Sequence, residues 1–262
     1  VMKELLDNDK LSSNALTVSG KTVKENLNSV ICKDRKVIYN YFEPLKENAG
    51  FLVLRSNFFD SAIMKMSVLS KEFNERYLSD EKKPMEFTVR AIVFDGPEHY
   101  HKEINNPNLN IDENCILIIR GCGPIGYPGA AEVVNMQPPD YLLKKGITSL
   151  PCLGDGRQSG TSESPSILNV SPEAAVGGGL AIIKNNDLIR VDLNNKRVDL
   201  ILDNSEIKSR FKDLKFDYPN NQTPWQEIAR EYTGQLGDGA CLDLKEKYID
   251  VAKSKGIPRD NH

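Results

Sequence analysis

Histidine is scarce in this sequence: only His99, His101 and His262 occur. Three scattered imidazoles leave little material for a His-based metal site, and none lies close in sequence to a serine that it could activate as a hydrolase does. Cysteine is present but unpaired. Cys32, Cys115, Cys122, Cys152 and Cys241 form an odd set with no C-x-x-C spacing, which argues against a disulfide framework or a zinc site and reads as scattered reduced thiols. No apolar run approaches the roughly 18 residues of a membrane-spanning helix. The opening residues Val1–Lys10 mix charges without the apolar stretch of a signal peptide. Neither sign of charge dominates, and the net charge of −3 argues against non-specific nucleic-acid binding. No internal repeat and no low-complexity tract occurs.

What remains is ordinary globular material, 39% hydrophobic and 27% charged over 262 residues, long enough to bury a core without staples. The chain has no initiator methionine and opens inside a helical stretch, so a fragment is expected, with any targeting segment outside it. Runs rich in Val, Ile and Leu, bounded by Gly, Pro, Asn and Asp, predict strands at 51–55, 87–94, 115–120, 166–170, 180–184, 188–193 and 197–202. Asn185-Asn186-Asp187 and Asn194-Asn195-Lys196 have turn chemistry, so the last three strands are expected to form an antiparallel meander. Helices are expected at 2–7, 21–28, 97–104, 139–145, 205–212 with Ser205 as N-cap, 224–232 and 243–253. The fold class that follows is a β-rich α/β protein: a barrel-like core spanning Leu52 to Leu202, peripheral helices and a helical C-terminal tail. The expected divisions are 1–30, a linker 31–50, the barrel 51–205 and the tail 206–262.

Four stretches carry candidate chemistry. Ala15–Thr22 imitates a phosphate loop but lacks its first glycine and a preceding strand, and reads as a turn entering a helix. Gly121, Gly123 and Gly126 match a dinucleotide spacing, yet Pro124 and Pro128 remove N–H donors and forbid the helix start that such a site needs. They leave a stiff loop whose backbone can approach a ligand. Gly154-Asp-Gly-Arg-Gln-Ser159-Gly-Thr161 places hydroxyls and backbone N–H groups together with Arg157, a pattern suited to holding an anion. With no histidine nearby, a reactive Ser159 would need a cationic activator. Glu98 follows a strand end, where a carboxylate suits either the first turn of a helix or a hard cation such as Mg2+.

Leu16-Thr-Val-Ser-Gly-Lys-Thr22, Val93-Phe-Asp-Gly-Pro-Glu-His-Tyr100, the loop Gly123–Gly129, Gly154–Thr161 and Val170-Ser-Pro-Glu-Ala-Ala-Val-Gly-Gly178 occur in that order. Together they resemble the dihydroxy-acid and 6-phosphogluconate dehydratase family. Gln222-Thr-Pro-Trp-Gln-Glu227 and the ending Gly256–His262 look like its sugar-acid branch. The resemblance implies a swivelling β/β/α C-terminal domain, with residues 1–30 as the end of a cluster-binding N-terminal domain. It implies a hydro-lyase that turns a 2,3-dihydroxy carboxylate into a 2-keto-3-deoxy acid, and a chain inactive without its other half. It further implies Ser159 as alkoxide base, Thr161 as its helper, Arg157, Gly123 and Pro124 shaping the substrate pocket, and Glu98 completing a Mg2+ site. The iron–sulfur ligands would lie in the absent half, with none in this chain. The expected partners are a small sugar acid, the chain's own N-terminal domain and further copies in a dimer or tetramer, in the cytoplasm or the mitochondrial matrix. The alternatives are a dihydroxy-acid dehydratase of branched-chain amino-acid synthesis and a non-catalytic binding module.

Overall fold

The computed structural model describes residues 1–47, 49–159, 164–212 and 214–243. It divides into two compact units, Val1–Ala49 and Gly50 onward. In the first, short helices span Met2–Asp7 and Val23–Leu27. Thr22 closes the second with a reciprocal capping box: its Oγ accepts from the Glu25 N–H while the Glu25 carboxylate accepts from the Thr22 N–H at 2.7 Å. The Gly20-Lys21-Thr22 turn therefore starts a helix, as its context predicts.

The second unit is one mixed sheet. Its strands are β1 Phe51–Leu54, β2 Ser61–Lys65, β3 Glu86–Asp95, β4 Cys115–Arg120, β5 Cys152–Gly154, β6 Ser166–Ser171, β7 Leu188–Asp192 and β8 Arg197–Leu200. Their order is β1-β2-β6-β5-β4-β3-β7-β8. The central four, β3 to β6, run parallel, whereas β1, β2, β7 and β8 join antiparallel at the flanks. A bridge between Arg55 and Arg197 brings the two edges together, so the sheet is a nearly closed barrel. Alternation along the central strands builds two cores. Ala91, Val93, Ile116 and Ile118 face one. Ile92, Phe94, Leu117 and Ile119 face the other, which also contains Ile104 and Leu142. The latter lies on the short helix Asp140–Leu143, and the helix Gly96–Glu103 ends just before Ile104. This is the expected β-rich α/β barrel with peripheral helices.

Three expectations need correcting. Residues 180–184 are not a strand: Gly179–Ile182 forms a 3-10 turn. The carbonyls of Leu180, Ala181 and Ile183 all accept from Arg120 Nη1 at 3.0–3.1 Å, so they converge on a cation instead of pairing with a neighbouring strand. The three-strand meander is thus a hairpin, β7–β8, and β7 pairs with β3 on its other side. The hairpin turn at 194–196 is present, with Lys196 as its left-handed residue at φ 56°. Finally, the helix expected from 205 begins at Asn204 and runs to Lys212, which places Ser205 inside its first turn instead of at the cap. The helix expected at 243–253 lies outside the described residues, apart from Asp243.

Candidate active site: four loops at the ends of the parallel strands

In parallel sheets ligands bind beyond the carboxyl ends of the strands. Here those ends carry four of the motifs singled out from the sequence. Asp95–His99 leaves β3, Gly121–Pro128 leaves β4, Asp155–Ser159 leaves β5 and Pro172–Gly178 leaves β6.

Two carboxylates that the motifs contain, but that sequence reasoning gave no role, hold these loops together. Asp155 is fully buried and accepts the N–H groups of Gly121 (3.0 Å), Cys122 (2.8 Å) and Ala174 (2.9 Å). Burial pushes its carboxyl up to about 6, against the opposing pull of the three N–H donors. Glu173, equally buried, accepts from Ile125 and Gly126. A Cβ at Gly123 would lie 2.5 Å from Glu173 Oε2, which explains the glycine there. The loop's N–H groups at 121, 122, 125 and 126 are therefore occupied by protein, and Tyr127 donates to the Gly123 carbonyl. Between Gly121 and Tyr127 only the N–H of the buried Gly123 has no acceptor among the described residues. The signal that could have revealed this arrangement is the acidic residue inside each of the motifs Gly154-Asp-Gly and Ser171-Pro-Glu.

The strand-end loops border a cavity of about 550 Å3. Asp95, Glu98, His99, Arg120, Gly121 and Gly126 line one side, and Phe216–Asn220, Gln222, Gln226 and Arg230 the other. Arg120 donates through Nε to Asp95 at 2.6 Å and lies 5.6 Å from the centre of the Phe216 ring. Glu98 is exposed to the cavity and makes no hydrogen bond or ion pair among the described residues. His99 accepts the Asp95 N–H at Nδ1 (2.9 Å), which leaves Nε2 to carry the ring hydrogen.

The predicted site residues divide between this cavity and its neighbourhood. Glu98 lines it; Gly123 and Pro124 belong to the loop beside it without forming its wall. Arg157 is exposed, donating through Nε to the Ala130 carbonyl at 2.7 Å and pairing with Glu132 at 3.3 Å. Ser159 is half-buried and is not among the residues lining the cavity. Thr161 lies outside the described residues. Glu132, passed over in the sequence, is thus the carboxylate that contacts the serine loop, through Arg157.

The iron–sulfur cluster and Mg2+ that the resemblance implies find no complete site here. No three His, Cys, Asp or Glu side chains converge among the described residues. Cluster ligands are thiolates, whereas burial pushes the Cys115 thiol up to about 11, that of Cys152 to about 12 and that of Cys122 further. No further His, Cys, Asp or Glu pair converges on any of them among the described residues, and it is for this reason that they do not fit a cluster. Mg2+ requires an octahedron of oxygens, toward which Glu98 or Glu132 offers a single carboxylate. No described helix is long and apolar enough to cross a membrane.

Comparison with known proteins agrees with this layout. Residues 36–240 match the family model for the C-terminal part of the dihydroxy-acid/6-phosphogluconate dehydratases. A D-xylonate dehydratase of Caulobacter vibrioides is 56% identical over 262 residues, covering 100% of this chain and 44% of the relative. An L-arabinonate dehydratase of Rhizobium leguminosarum is 35% identical (100% and 43%), and a dihydroxy-acid dehydratase of Acetivibrio thermocellus is 33% identical (94% and 42%). The chain thus spans less than half the length of these curated relatives. It belongs to the dihydroxy-acid/6-phosphogluconate dehydratase family, whose C-terminal domain it carries.

Proposed function

We propose that this chain is the C-terminal domain of a sugar-acid hydro-lyase acting on a pentonate. The observation that carries the reading is the 56% identity, along the whole chain, to a D-xylonate dehydratase. In the proposed reaction Ser159 Oγ, as an alkoxide, removes the proton from C2 of the 2,3-dihydroxy carboxylate. The hydroxyl on C3 departs, water is lost in total, and the resulting enol becomes the 2-keto-3-deoxy acid. Thr161 orients the substrate, while Arg157 and the loop at Gly123 and Pro124 shape its pocket.

A serine hydroxyl ionises near neutral pH only beside concentrated positive charge. Arg157, two residues away, already donates to Ala130 and pairs with Glu132. The activating charge therefore comes from the part of the protein that this chain does not span. For the same reason the 262-residue chain alone is expected to yield no keto acid.

The test is keto-acid formation from pentonates by a protein of the relatives' full length, purified anaerobically with iron, sulfide and Mg2+. Ser159→Ala is expected to lower kcat by about 10²–10⁴-fold, the usual worth of a positioned base, with KM little changed. Wild-type turnover by that variant would remove the serine from the chemistry. Turnover of a branched dihydroxy acid but of no pentonate would transfer the domain to the branched-chain reaction.

A further inference from the structure

We infer that Glu173 and Gln235 are positioning residues, which together set the geometry of the Gly121–Gly126 loop and tie the C-terminal stretch Leu214–Asp243 to it. The contacts are reciprocal. Gln235 Nε2 donates to Glu173 Oε1 at 2.8 Å, and the Glu173 N–H donates to Gln235 Oε1 at 2.9 Å. The same carboxylate takes the N–H groups of Ile125 (3.0 Å) and Gly126 (2.9 Å). From the opposite side Arg230 holds the carbonyls of those two residues, Nε to Ile125 at 2.8 Å and Nη2 to Gly126 at 3.2 Å. Ile125 and Gly126 are thus gripped by an anion at their donors and by a cation at their acceptors. Gly237 adds a third tie, donating its N–H to Ser171 Oγ at 3.0 Å.

A buried carboxylate with no cation in contact is expensive unless its lone pairs are all matched by donors. An apolar side chain would fill that volume at lower cost, so the arrangement is explained by the geometry it imposes. Gln235 is the one donor to Glu173 that comes from the C-terminal stretch, and that stretch also supplies the cavity wall from Phe216 to Arg230. The placement of that wall therefore depends on an amide and a carboxylate outside the cavity. Its bearing on substrate rests on the lyase reading above; the coupling itself does not.

Hydrogen–deuterium exchange on the 262-residue chain tests it without any turnover. Gln235→Ala, at a half-buried position, is expected to speed exchange of the Ile125, Gly126 and Gly234 amides by about tenfold or more, as loss of a charge-assisted bond implies. The amides of Ile116–Ile119 in β4 should stay as in the wild type. Gln235→Glu should have the larger effect, because a carboxylate cannot donate to Glu173 and repels it; a merely space-filling glutamine would make Glu the milder change. Unchanged exchange at Ile125 and Gly126, a milder Glu variant, or equal acceleration in β4 would each overturn the inference. Failure of the lyase assay would leave it standing.

Discussion

Asp155 shows how a single residue can serve a site without touching the chemistry. Its carboxyl is raised by burial from 3.8 to about 6, although three backbone N–H groups favour the charged form. A raised folded-state value means that the folded chain binds the proton more tightly than the unfolded one. The corresponding stability is fully present below about 3.8 and is lost as pH rises through about 6. Other carboxylates act oppositely: Asp192 and Asp199 are both held below their ordinary value, with burial opposing the hydrogen bonds that lower them. The contribution of Asp155 must therefore be read as a difference. Urea unfolding of the wild type and of Asp155→Asn between pH 4 and 7 should show the wild type losing stability relative to the variant by on the order of 3 kcal/mol as pH rises. A constant difference across that range would mean that Asp155 titrates normally.

Elements were legible where side-chain pattern alone decides them. β3, β4 and β6 are Val- and Ile-rich with both faces buried, and their predicted limits lie within about a residue or two of the observed ones. β2 and β5 were not foreseen, because Ser-Ala-Ile-Met-Lys has no strong β signal and β5 is three residues long. The false strand at 180–184 fails for a reason that no local window contains: three of its carbonyls are taken by Arg120, some sixty residues earlier. The site divides in the same way. Glycine-rich motifs marked the loops, but Asp155 and Glu173 acquire their roles only when the ends of β4, β5 and β6 are brought together. A direct test concerns Gly179, where a Cβ would sit 1.6 Å from the Phe58 carbonyl oxygen, so backbone must move. Gly179→Ala is expected to destabilise by about 3 kcal/mol or more, as forced overpacking does. Gly50→Ala, with nothing within 4 Å of the added atom, should stay within about 0.5 kcal/mol. Equal urea midpoints for the two would refute the steric account.

At the scale of the whole molecule, the two edges of the sheet meet, and the seam between them carries polar groups. Beside the Arg55–Arg197 bridge, Asn57 spans from the end of β1 to β8. Its N–H donates to Asp199 Oδ1 at 3.0 Å, its Nδ2 to the Leu200 carbonyl at 2.8 Å, and its Oδ1 accepts the Leu200 N–H at 2.9 Å. Asp199 is fixed in turn by Arg197 and Arg190. The two arginines are nearly half exposed, so solvent weakens their pairing with Asp199. The Asn57 bonds, at a backbone edge with no further strand to satisfy it, matter more. Asn57→Ala strips two partners from Leu200 at once, leaving its carbonyl with the Leu202 N–H at 3.0 Å, at a cost of about 2 kcal/mol. Asn57→Asp keeps an acceptor for the Leu200 N–H, loses the donor to its carbonyl, and adds a charge near Asp199. It should therefore be no better than Ala, whereas Asn57→Gln should be milder if reach alone were at issue. Urea midpoints for the three variants, with unchanged slopes, decide between a specific seam and general packing. Three midpoints equal to that of the wild type would mean that the barrel is held by its apolar cores alone.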